Sequence, residues 1–163
     1  MTRRDAVLSL TAFAVAPLVG CRPGTPSIAF DADSCEACRM TISDRRFGAA
    51  ARTEAGRIVR FDSIECLASW LNGASTPPQA VWVVDAMVPA TLIALDDAVI
   101  HQASIATPMS GESRRSEKGE ARSEGFIAVA RTHASTPWDG PAVSLDTVRA
   151  VVSRGWVGAG SGR

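Results

Sequence analysis

The chain's 163 residues suffice for one domain, or for two small ones sharing a core. An apolar content of 46% and a charged content of 21% are ordinary for a globular protein, and the formal charge is zero. Arginine is spread along the chain, with no basic block and no aromatic-basic platform, so nothing in it fits a nucleic-acid partner.

The N-terminus reads as an export signal and not as part of the fold. Thr2-Arg3-Arg4-Asp5 is a short basic start, and Ala6 to Val19 is an apolar run too short to persist as a spanning helix. The run ends in Leu18-Val19-Gly20-Cys21, which resembles a bacterial lipobox. Residues 1–20 are therefore expected to be a lipoprotein signal peptide, and Cys21 the lipid-bearing first residue of the mature chain. Arg3-Arg4 also loosely resembles a twin-arginine signal. Residues 21–32, with Pro23, Gly24 and Pro26, read as a tether. Losing Arg3, Arg4 and Asp5 leaves the mature chain at −1, so acyl chains rather than charge hold it to a bacterial membrane, facing the periplasm or the cell exterior. Three cysteines, Cys35, Cys38 and Cys66, then lie in an oxidising compartment; a disulfide between two of them leaves one thiol free.

Asp33 to Met40 carries Cys35-x-x-Cys38-x-Met40. Zinc, a disulfide or a redox dithiol can each use a Cys-x-x-Cys pair. The methionine narrows the field, because a thioether suits Cu(I) and is of little use to zinc. Packing is the alternative role for Met40. Arg46 to Thr53 then reads as a strand, Glu54-Ala55-Gly56 as a turn and Arg57 to Phe61 as a second strand. Asp62 or Ser63 caps a helix to about Asn72, with Ile64, Leu67, Trp70 and Leu71 on one face. Gly73 to Pro78 breaks it. Ala80 to Ala86, Leu92 to Leu95 and Ala98 to His101 read as further strands, with Asp96-Asp97 a turn. Met87, His101 and His133 are possible ligands, with packing or surface roles as the plainer alternative.

Phe47 to Ala55 matches Phe126 to Ala134 at six of nine positions, at an offset of 79. Val59-Arg60-Phe61-Asp62-Ser63-Ile64 aligns with Val143-Ser144-Leu145-Asp146-Thr147-Val148 at an offset of 84, with the Asp-Ser/Thr cap in the same place. Two matches in the same order point to an internal duplication. The expected fold is thus α+β: a first β-β-α unit at 33–78, a second at 79–157 with a polar loop at 111–125, and a flexible tail at 158–163. Met40 precedes Phe47 by 7 residues and Met109 precedes Phe126 by 17, the excess falling in the polar loop. With the loop removed the two methionines are equivalent. If the units pack face to face, Cys38, Met40 and Met109 form a trigonal soft-metal site.

In order, Cys35-x-x-Cys38-x-Met40, Arg46-Phe47-x-Ala49, Phe61-Asp62-Ser63-Ile64-x-Cys66, Trp82-Val83-x-Asp85 and Thr107-Pro108-Met109 follow the lipobox. This series, covering Asp33 to Ala130, resembles the NosL family, copper-chaperone lipoproteins of nitrous oxide reductase assembly. The resemblance implies a pair of β-β-α units distantly related to organomercurial lyase. It implies Cu(I) held at Cys38, Met40 and Met109, and delivery to nitrous oxide reductase or to its membrane maturation complex. Two departures stand out: Arg39 where the family usually has glycine, and the polar insertion after Met109. With Cys38 kept as a thiolate for the metal, Cys35 and Cys66 remain as the expected disulfide pair. No catalytic residue is expected. The alternatives are a thiol–disulfide or lyase-type enzyme using Cys35 and Cys38, and a lipoprotein whose cysteines are structural; no helical stripe follows Cys38 to support a redox dithiol.

Overall fold

The computed structural model describes residues 24–105, 107–109, 124–133 and 140–154. The signal at 1–20, Cys21, residues 111–123 of the polar loop and the tail at 158–163 lie outside the described residues. Among those described, two α-helices and seven strands form an α+β fold with antiparallel sheets. No described helix is long and apolar enough to cross a membrane.

The first sheet runs in the order β2-β1-β3-β4, with β1 at Ala49–Arg52, β2 at Ile58–Phe61, β3 at Ala80–Val84 and β4 at Leu92–Ala94. β1 and β2 form the expected hairpin, Ala49 opposite Phe61 and Arg52 opposite Ile58. Gly56 supplies the left-handed backbone (φ 81°) that the turn requires. β1 is buried almost throughout because it is paired on both sides, and its three alanines let the helix above approach closely.

Helix α1, Ile64–Gly73, starts where Ser63 Oγ accepts from the Cys66 N–H at 3.3 Å. Its buried residues are Ile64, Glu65, Cys66, Leu67 and Ala68, so its first five residues are all enclosed. The second sheet runs β6-β5-β7, with β5 at Ala98–Ser104, β6 at Glu124–Ala130 and β7 at Ala142–Val143. β5 extends three residues past His101, the end expected from the sequence. It is the central strand of its sheet, and its ladder to β6 runs from Ala98–Ala130 to Ser104–Glu124.

Helix α2, Leu145–Ser153, is capped by Ser144, whose Oγ accepts from Thr147 N–H at 3.1 Å. Asp146 and Thr147, expected as the cap, lie in the first turn instead. An earlier start lets Val148 and Val152 both face the core. The stretch expected as the second β-β-α unit holds five strands, β3 to β7, before α2, and the pairing of its last strands differs from the first: β1 and β2 are neighbours, whereas β5 separates β6 from β7. β3 and β4, which follow residue 79, complete the first sheet.

One core joins the halves, with Phe61, Leu67, Val83, Ile100, Phe126 and Val148 among its members. The helices pack on each other, and Asn72 and Arg149 exchange two 3.1 Å hydrogen bonds between them. The sheets meet where Ala86 N–H donates to Ala128 C=O at 3.0 Å.

Candidate metal site

Asp33 to Ile42 folds back on itself as a narrow loop. Ile42 N–H donates to Asp33 C=O, Cys35 N–H to Met40 C=O and Arg39 N–H to Cys35 C=O, at 2.8–3.0 Å. The turn needs a left-handed residue, and Arg39 takes that conformation with φ 66°. The loop is tied to β2: Glu36 N–H donates to Arg60 C=O at 2.8 Å, and Arg60 Nε lies 3.1 Å from Asp33 Oδ2. This lays the loop against the start of α1.

The sulfurs of Cys35, Cys38 and Cys66 consequently lie within 4.8 Å of one another. Cys35 and Cys66 are buried and Cys38 is half-buried. All three carry free thiols in this structure. In place of the disulfide expected between Cys35 and Cys66, the Cys66 S–H donates to the Cys35 sulfur.

That hydrogen bond is the main reason the Cys35 thiol falls from the ordinary 9.0 to about 5. Backbone N–H groups of Cys38, Asp62 and Ala37 also point at this sulfur, and together with the Cys66 hydrogen bond they outweigh the cost of burying its charge. Cys66, as the donor, is held well above its ordinary value, with burial and the Cys35 charge adding to the effect. Burial raises Cys38 despite an N–H donated by Met40. One thiolate and two thiols therefore share the site at neutral pH.

Two carboxyls, Asp62 near the Cys35 sulfur and Glu65 in the first turn of α1, are buried, and their chemistry was not legible in the sequence. Asp62 is 2% exposed, its Oδ1 has no hydrogen-bond partner, and burial with the Cys35 charge lifts it to about 6. Glu65 is raised by burial; its Oε1 accepts from Phe126 N–H at 3.2 Å, linking α1 to β6. The only sequence signal was an Asp-Ser before a helix, which reads as a cap; Ser63 takes that role and leaves Asp62 facing the cluster.

The methionines part company. Met109 is 9% exposed and belongs to the same core cluster as the three cysteines. Met40 is 45% exposed. It stands on a groove of about 440 Å³ shared with Ser43, Asp44, Asp62, Thr107 and Pro108. His101 and His133 lie outside the sulfur cluster: His101 Nδ1 is 3.3 Å from Gly140 C=O, and His133 Nδ1 is 3.0 Å from Asp85 Oδ2. Met87 is an exposed residue of the β3–β4 connection.

Three soft donors in a buried pocket can hold a metal ion, and the donor set suits ions content with thiolate ligands. No protein family, curated protein or solved structure matches the chain.

Proposed function

We propose that this protein is a carrier of Cu(I) and not an enzyme, anchored through an acylated Cys21 to a bacterial membrane and facing the periplasm or cell exterior. The observation that carries the reading is the convergence of Cys35, Cys38 and Cys66 within 4.8 Å. Among the described residues that metal-binding group contains three sulfurs and no fourth donor. A structural zinc site is almost always four-coordinate, whereas Cu(I) is well served by soft sulfur ligands. The ligand set proposed is thus Cys35, Cys38 and Cys66, with Met109 in the same core, in place of Cys38 with two thioethers.

The ordered resemblance to the NosL family supports nitrous oxide reductase, or its membrane maturation complex, as the recipient. The strand-strand-helix order of β1-β2-α1 and of β6-β7-α2 supports an internal duplication in which the second sheet has changed its pairing. A thiol–disulfide enzyme is the second reading, favoured by the ionised Cys35. Its 0% exposure weighs against that role, because thiolate attack requires access to a substrate disulfide.

Counting protons tests the ligand set. A metal-bound cysteine must be deprotonated, and one of the three is already ionised at pH 7. Adding Cu(I) to the reduced full-length protein should release about two protons per ion, falling to about one in Cys38→Ser, which keeps the Cys66-to-Cys35 hydrogen bond. Binding without proton release, or wild-type affinity in Cys38→Ser, would remove the trithiolate site.

A further inference from the structure

Cys35 and Cys66 are sealed from solvent, yet cargo must reach them and leave again. Two residues that line the groove, Met40 and Asp62, touch two of the three sulfurs through their backbones. Asp62 N–H donates to the Cys35 sulfur, and Met40 N–H to the Cys38 sulfur. Cys38 is also the one member of the trio that is not buried. At the rim, Met40 leaves a large apolar side chain 45% exposed. On the wall, Asp62 holds a buried oxygen that no donor satisfies, which gives the groove a polar inner end facing the cluster.

We propose that this groove is the door for the metal, and that Met40 is a transfer ligand instead of a member of the resting site. The inference rests on the three cysteines being the Cu(I) site. On loading, a bond forms between Cu(I) and Met40 Sδ as the bond to the delivering sulfur breaks. The Cys38, Cys35 and Cys66 sulfurs then replace Met40 Sδ, and the Cys38 and Cys66 protons leave through the open groove to water. Copper stays Cu(I) throughout, so no oxidant or reductant is needed. Unloading runs the same steps backwards, with a sulfur of the recipient meeting the ion at Met40. A neutral thioether at an exposed rim holds the ion more weakly than a buried thiolate. Its effect is therefore concentrated in the exchange itself.

Such a residue has a kinetic signature. A contact made only in the transition state speeds loading and unloading by the same factor and leaves the equilibrium unchanged. Stopped-flow mixing of reduced full-length protein with a glutathione–Cu(I) complex, and of loaded protein with a chelator, measures both rates. Met40→Leu keeps the bulk and removes the sulfur. It should slow both rates about tenfold while Kd stays within about twofold. Ser43→Trp, at an exposed rim position outside the core, should narrow the groove and slow both rates as well. A Met40→Leu variant whose affinity drops through faster unloading alone would make Met40 a resting ligand. Wild-type rates in both variants would place the door elsewhere. Wild-type protein that takes up no Cu(I), or Cys38→Ser that binds as well as wild type, fails the cysteine site itself and the door with it.

Discussion

Arg39 occupies a left-handed backbone position, φ 66°, at the tip of the cysteine loop. A residue with a Cβ costs about 1–2 kcal/mol there, and glycine has no such penalty. The guanidinium recovers little: it is 74% exposed and 3.7 Å from Glu36, and exposed pairs contribute about 0–1 kcal/mol. Arg39→Gly should therefore raise stability in urea melts by roughly 1 kcal/mol and leave metal affinity unchanged. A drop would mean that the pair to Glu36 outweighs the strain. The sequence comparison marked this position only as glycine in the related pattern; the turn geometry supplies the reason. Cys35 gives a second residue-scale expectation. Its folded value of about 5 lies below the ordinary 9.0, so its contribution to stability is complete above about pH 9 and is lost as pH falls through 5. Reduced, metal-free protein should show one thiolate by ultraviolet absorbance at pH 7, titrating near pH 5. Cys35→Ser should abolish that titration and flatten the rise of melting temperature between pH 6 and 9. A midpoint near 9 in the wild type would remove the Cys66-to-Cys35 hydrogen bond as a significant interaction.

α1 is the element on which the site depends most, because its first turn carries Cys66 and Glu65 and its N-cap faces the cysteine loop. Ser63→Ala removes the acceptor of the Cys66 N–H and should cost about 1 kcal/mol of stability. It also frees the residue that donates to Cys35, so the Cys35 titration should move upward in the same variant. A stability loss without that movement would mean that packing of Leu67 and Ile64, not the cap, fixes the start of the helix. This helix was readable in advance because its signals are local: a Ser before an apolar stripe at helical spacing, and a Gly at the end. The β1–β2 hairpin was readable for the same reason. The position of β5 between β6 and β7 was not, since the match between Phe126–Ala134 and Phe47–Ala55 says which residues are strand-like and nothing about their neighbours. The partners of Cys38 escaped in the same way. Cys66 is 28 residues further along the chain, and only the packing of the 33–42 loop on α1 brings the two sulfurs together.

Across the whole molecule the site is a junction. The cysteine loop is bound to β2, Cys66 rides on α1, α1 reaches β6 through Glu65, and Met109 lies in the core that all of these share. An ion that binds this arrangement and not the unfolded chain must stabilise the fold as a unit. At a free Cu(I) concentration about 1,000 times Kd the gain is about 4 kcal/mol. For a chain of this size that raises Tm by on the order of 10 °C. Cys38→Ser should melt near the wild-type temperature when metal-free, since Cys38 is only half-buried, and should lose most of the shift. Met109→Ala separates packing from coordination. Truncating a buried methionine costs about 2–5 kcal/mol, so the metal-free variant should melt early in either case. A full Cu(I) shift from that lower baseline makes Met109 a core residue only, and a missing shift makes it a ligand alongside the thiolates. Oxidised protein bears on the trio itself. A disulfide between Cys35 and Cys66 would consume two of the three donors, so it should remove the shift and reduction should restore it. A full shift in the disulfide form would show that those two sulfurs are not ligands, leaving Cys38 and the methionines to hold the ion.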